Sequence, residues 1–207
     1  MEKVLYESKG GFYPILPACP VVLVGSLLEG KPDFCTVAWA GVASSVPPTI
    51  SVALQHHRYS LKGIRQNMTF SVNIPSSEIT KETDYCGMTT GIDTDKVKDC
   101  KFKIFYGKLP GAPFIEECTI NHACEVVQIL NLGSHALIVG RIVETYVGQN
   151  CLTDGSVDIA KVKPLIFASR GYYAMGARLE DAFKCGRTIN LSGNIQVNRP
   201  PPAPPAK

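Results

Sequence analysis

The sequence predicts a mainly β protein with helical additions, built on a closed antiparallel β-barrel. Three observations carry that expectation. Short runs alternate apolar and polar residues with period two, as half-buried strands do. Clusters of Gly, Pro, Asn and Ser separate them at hairpin distances. The few stretches with helical spacing are short, and they do not alternate with strands as a parallel α/β sheet requires.

Taken in order, residues 18–29 ("ACPVVLVGSLLE") read as a buried strand closed by the turn "GKPD" at 30–33. "FCTVAWAGVAS" at 34–44, rich in small and β-branched residues, reads as the next strand. "TISVALQ" at 49–55 sets Ile50, Val52 and Leu54 against Thr49, Ser51 and Ala53. "HRYSLKGIRQN" then turns helical, with Ser60 as the expected N-cap. "MTFSVNIP" at 68–75 alternates again, and Thr69, Ser71 and Asn73 form its polar side. "SSEITKETDYCG" opens on a capping signature and reads as a helix, followed by a shorter one in "DTDKVKDC". "CTINHACEVVQIL" and "HALIVGRIVETYV", joined by "NLGS", form a hairpin. "KPLIFA" at 163–168 is the expected last strand.

The 207 residues fit one domain over 1–190 and a Pro-rich tail over 191–207 that forms neither sheet nor helix. A formal charge of +3 with no Lys/Arg run speaks against nucleic acid as a partner. The longest apolar run, "VVLVGSLL", is far short of the ~20 residues of a membrane helix. The first residues lack the apolar centre of a signal peptide, so the expected location is the cytoplasm.

The 8 cysteines show no C-x-x-C spacing and read as reduced, mostly buried thiols. In one strand, Cys118 and Cys124 would stand about 20 Å apart, too far for a disulfide. No metal site is expected. His122 and Cys124 share a strand face, but no further ligands accompany them, and His122 reads as a hydrogen-bonded structural residue.

The residues that suggest chemistry gather at strand ends. Ser44 and Ser45 lie where one strand runs out, and Arg58 and Ser60 where a helix begins. A helix start offers unbonded N–H groups and a positive dipole end, and an adjacent Arg adds charge-assisted donors, which together suit a phosphate. A capped helix with a solvated Arg is the plainer reading of the same residues. Trp39 in "TVAW" either fills the core or borders a flat ligand.

Read together, "PVVLVGS", "TVAWAGVASSVPPTISVAL", "RYSLKGI", "FSVNIP", "TDYCG", "DTDK", "LGSHALIVGRIV" and "KPLIF" resemble, in order, the flavin reductase-like family and, within it, the flavoredoxins. The resemblance covers roughly residues 18 to 170. It implies a split barrel of the FMN-binding type, with FMN held non-covalently at a homodimer interface. By position, Thr36, Val37, Ala38 and Trp39 would run beside the isoalloxazine ring. Ser44, Ser45, Arg58, Tyr59 and Ser60 would hold the phosphate or ribityl chain, with Asn73 close by. Lys96 would approach the flavin, Phe167 belongs to the same cofactor set, and Cys86 either borders the pocket or is a structural core thiol. His135 matches a position near flavin and nicotinamide. Where the family often has Gly-Asp-His, this chain has Ser134 before His135, and Arg141 stands where an acid is common. The implied activity is an FMN-dependent oxidoreductase fed by NADH, NADPH or a reduced partner protein. The alternative is an electron-transfer or FMN-binding module without nicotinamide-dependent activity.

Overall fold

The structure is a computed structural model and describes residues 3–6, 14–182 and 184–188. Two compact units divide the chain, one through Met175 and one from Gly176 onward. In the second, Asp181 pairs with Arg178 and, at 2.9 Å, with Lys184. The Pro-rich stretch at 191–207 lies outside the described residues.

The first unit is mainly β. Its strands are β1 (Cys19–Pro20), β2 (Val22–Leu28), β3 (Lys31–Val37), β4 (Ala40–Ser45) and β5 (Pro48–Gln55). They continue with β6 (Thr69–Ile74), β7 (Ile104–Phe105), β8 (Phe114–Ile115), β9 (Ile120–Leu132) and β10 (His135–Val147). The last are β11 (Leu152–Thr153), β12 (Ser156–Val157), β13 (Leu165–Ala168) and β14 (Gly171–Ala174). The helices are α1 (Tyr59–Asn67), α2 (Thr80–Met88), α3 (Lys96–Asp99) and α4 (Ile159–Val162).

Seven strands form one antiparallel sheet in the order β3-β2-β6-β9-β10-β5-β4. Its margins are β3 and β4, which are consecutive in the chain and separated only by Ala38 and Trp39. Among the described residues no ladder pairs these two margins directly, so the expected closure is not made by hydrogen bonds between them. Trp39 instead ties the bend to β5, its carbonyl accepting from Ala53 N–H at 2.9 Å.

The largest core cluster joins this sheet to α1. Val24, Val52, Leu54, Phe70, Val72 and Ile138 are buried there, and Leu61 and Ile64 of α1 close it. The helix approaches β2 so closely that a Cβ on Gly63 would stand 2.7 Å from Ser26 Oγ. Only glycine permits that contact.

Three local expectations change. "GKPD" is not the turn after the first strand. Glu29 and Gly30, with φ of 52° and 76°, form a two-residue hairpin turn, and β3 starts at Lys31. Pro32 is tolerated within β3 because that strand is a sheet margin. The single strand expected over 34–44 breaks at Ala38–Trp39. "KPLIFA" is not last: Ser169 and Arg170, at φ 45° and 65°, turn the chain back into β14. Neither is a usual left-handed residue, so the turn is silent in the sequence. The "NLGS" hairpin forms as expected, with Leu132 opposite His135.

Candidate functional site

A cavity of about 130 Å³, open to solvent, lies at the start of α1. Arg58, Tyr59, Ser60 and Lys96 line it, with Cys35, His57, Met88, Thr89 and Thr90. Four segments meet there: margin strand β3, the α1 start, the end of α2 and the start of α3.

Arg58 caps α1 with extended backbone (φ −63°, ψ 130°), and its side chain makes no capping hydrogen bond. No acidic residue lies within that turn, whose positive dipole end borders the cavity. The expected cap, Ser60, sits inside the helix, and its hydroxyl donates to buried Asp33 instead. Arg58 Nη1 donates to Gly87 O at 2.6 Å, which fixes the guanidinium across the end of α2. A Cβ on Gly87 would stand 3.1 Å from Thr36 Cβ, so glycine lets α2 close on β3 there.

Lys96 is buried. Its ammonium lies 3.0 Å from Asp33 Oδ1 and donates to Phe34 O at 2.7 Å. Phe34 belongs to a margin strand, so Lys96 bonds a carbonyl that a further strand would otherwise take. Buried pairing of this kind holds one geometry, because separating the charges leaves each desolvated and alone. The thiol of Cys35 is pushed up by burial, against the opposing pull of Arg58 and Lys96.

A second cluster adjoins. His56 Nε2 contacts Gly133 O at 2.9 Å and so links the turn before α1 to the β9–β10 turn. His135, the first residue of β10, stacks against Trp39 with centroids 4.5 Å apart and planes at 35°. Trp39 is 42% exposed and is not a core residue. Ser134 Oγ lies 2.7 Å from His135 Nδ1. Burial, then the charges of His56, Arg58 and His57, hold the His135 imidazole below the usual histidine range. A neutral ring follows at pH 7.

The other sequence-derived residues are dispersed. Thr36 Oγ1 donates to Thr83 O, Val37 is buried in the core opposite Val22, and Ala38 is half-buried in the bend. Ser44 accepts from Val46 N–H at 3.2 Å and Ser45 is exposed; both lie on β4, outside the cavity lining. Asn73 is fully buried and bonds only protein: Nδ2 donates to Leu23 O and Ser71 Oγ, and Oδ1 accepts from Ile115 N–H and Asn121 Nδ2. Cys86 is buried with Leu23, Phe34 and Phe102. Phe167, on β13, packs its ring 5.8 Å from Tyr172. His122 Nδ1 lies 2.9 Å from Thr145 Oγ1, as a structural histidine would. Cys35, His57, Thr89 and Thr90 were not singled out from sequence. Their signal is adjacency alone, since each neighbours a family segment or lies just beyond one.

The model of the flavin reductase like domain matches residues 18–176. The chain belongs to the flavin reductase-like family. A flavoredoxin from Methanosarcina acetivorans is 33% identical and superimposes with a TM-score of 0.84, covering 92% of this chain and 100% of that one. The flavoredoxin of Desulfovibrio vulgaris (Miyazaki F) is 32% identical with a TM-score of 0.80, over 88% and 100%. An uncharacterized protein of Archaeoglobus fulgidus is 31% identical over 129 residues, 62% of this chain and 72% of that one.

A flavin mononucleotide can be tested against these residues. A helix start without a side-chain cap from Arg58, an Arg58 side chain engaged at one bond and Lys96 in the lining suit a phosphate monoester. The margin of β3 and the exposed Trp39 suit a planar heterocycle with hydrogen-bonding edges. The donor set fits the group.

Proposed function

We propose that the protein binds FMN and works as an oxidoreductase, moving electrons from NADH, NADPH or a reduced protein partner to an acceptor. The observation that carries this is the cavity at the α1 start, where Arg58 and the positive dipole end of the helix border a solvent-open space. FMN, when bound, supplies the redox chemistry. The chain supplies position and electrostatics. Arg58 and the first N–H groups of α1 hold the phosphate. Backbone groups of residues 36–39 meet the ring's polar edge, and Lys96, steadied by Asp33, sets a positive charge near it. Trp39 and His135 form the open side through which a donor approaches. The same reading includes a homodimer with FMN at its interface, a split barrel closed around residues 38–39, one domain reaching residue 190 and a cytoplasmic location.

A second reading has one observation in its favour. His135 Nδ1 faces the Ser134 hydroxyl, a neutral partner, where a carboxylate would fix the tautomer and support a positive ring. A site so built suits electron transfer from a protein better than hydride transfer from a nicotinamide. Titration with FMN followed by calorimetry and visible absorbance tests binding, and no uptake would end both readings. Stopped-flow mixing of the yellow protein with NADH and NADPH separates them. Bleaching near 450 nm faster than that of free FMN supports the first reading; bleaching only by dithionite or a reduced protein supports the second.

A further inference from the structure

Cys86 and Cys100 meet between α2 and α3. Cys86 is fully buried and Cys100, at the end of α3, is half-buried against the same apolar cluster. The Cys100 sulfur lies 3.9 Å from Glu82 O. Glu82 is one helical turn before Cys86, so its carbonyl belongs to the turn that carries Cys86. Both side chains pack in the same apolar cluster, so the two thiols are neighbours. Nothing in the proposed oxidoreductase chemistry uses either sulfur.

We propose that Cys86 and Cys100 are an oxidisable pair that forms a disulfide, cross-linking α2 to α3 behind the cavity. Thiols that share one cluster, with Cys100 Sγ 3.9 Å from the carbonyl one turn before Cys86, need only a local shift to reach the ~2.05 Å of an S–S bond. The more accessible Cys100 reacts first. With a peroxide as the two-electron oxidant, Cys100–SH and H2O2 give Cys100–SOH and water. Cys86–SH then attacks that sulfur, giving Cys86–S–S–Cys100 and a second water. The sulfurs lose two electrons in total and the peroxide gains them. Burial raises both thiols above the usual range, and the neighbouring Cys86 partly offsets this on Cys100. That difference matches the order of attack and makes the reaction slow, because the thiolate is the reactive form.

The link encloses residues 87–99. That segment includes Met88, Thr89, Thr90 and Lys96, which line the cavity. Oxidation therefore staples one wall of the cavity, and reduction releases it. The inference goes beyond the proposed function and does not depend on it, since the bond forms whether or not a flavin is present.

The test is peptide mapping of the full-length protein after peroxide treatment, with the peroxide quenched and the remaining thiols alkylated as the protein is denatured. The expected product is one peptide pair joined through Cys86 and Cys100, lighter by two hydrogens than the reduced pair. The link should be absent in Cys100→Ser and kept in Cys35→Ser, whose thiol lines the cavity from another segment. The oxidised wild type should melt about 5–10 °C higher than the reduced form, and dithiothreitol should reverse the gain. Three results would overturn the proposal: sulfinic or sulfonic acid on Cys100 without the link, Cys86 joined to a different cysteine, or both thiols alkylated in full after the exposed Cys185 has oxidised. The mapping on wild type needs no variant to fold, and it needs no bound cofactor.

Discussion

Asn73 and Arg58 are both polar residues of the first unit, and the family resemblance gives both to the same cofactor. Their hydrogen bonding sets them apart. Each donor and acceptor of the Asn73 amide is engaged by Leu23, Ser71, Ile115 or Asn121. The Arg58 side chain makes one hydrogen bond among the described residues, to Gly87 O, and lines a cavity beside a helix start that it does not cap. A polar side chain that is saturated by protein holds the fold, and one with free capacity at a cavity can hold a ligand. Polarity alone does not separate the two cases, because both arise on alternating strands and at helix starts.

The comparison is sharpened most by Lys96, which belongs to both classes. Lys96→Met leaves the Asp33 carboxylate buried without its cation and should destabilise the fold by about 3–5 kcal/mol in urea unfolding. Adding Asp33→Ala should restore much of that, since the unpaired charge is then gone. If the single variant is as stable as wild type, the pair is not the buried anchor described above. Asn73→Ala comes next. It strands the Ile115 N–H and the Asn121 amide and should lower stability by about 2–3 kcal/mol, with FMN affinity unchanged where the protein stays folded. A large loss of affinity at intact stability would return Asn73 to the binding site. Arg58→Ala is the mirror image. Denaturant midpoints should barely move, and FMN should bind about 1–3 kcal/mol more weakly by calorimetry.

The same distinction explains what was legible in the sequence. Period-two alternation at 49–55 and the Gly-Ser turn at 133–134 are local, and both elements form where they were read. The β13–β14 turn was invisible because Ser169 and Arg170 carry no turn signature, yet tertiary packing holds them at positive φ. Arg58, Tyr59 and Ser60 are neighbours in the chain, so their proximity was readable. Asp33 was missed because its partners, Ser60 and Lys96, reach it only after α1 and α3 dock on β3. The bonding of Asn73 within the protein was hidden for a related reason. The polar side of β6 is covered by the segment around Pro113 and Ile115, which no local pattern announces.

The smallest expected effect concerns His135, and it tests whether the two clusters at the cavity mouth share one electrostatic field. Burial and the charges of His56, Arg58 and His57 hold this imidazole low. Removing the permanent charge in Arg58→Gln should therefore move the His135 titration upward, toward the ordinary histidine range, in a ring-proton NMR titration. The sign carries over to stability. A histidine that is harder to protonate when folded contributes nothing adverse above the unfolded histidine range, and it lowers stability as pH falls from that range toward the folded value. Arg58→Gln should soften that loss. His122, also held low by burial, adds a loss of the same sign, so the resolved His135 resonance decides the matter rather than the melting curve. An unmoved resonance would mean that Arg58 and His135 are screened from each other by solvent, and that the cavity and the Trp39–His135 face act as separate surfaces.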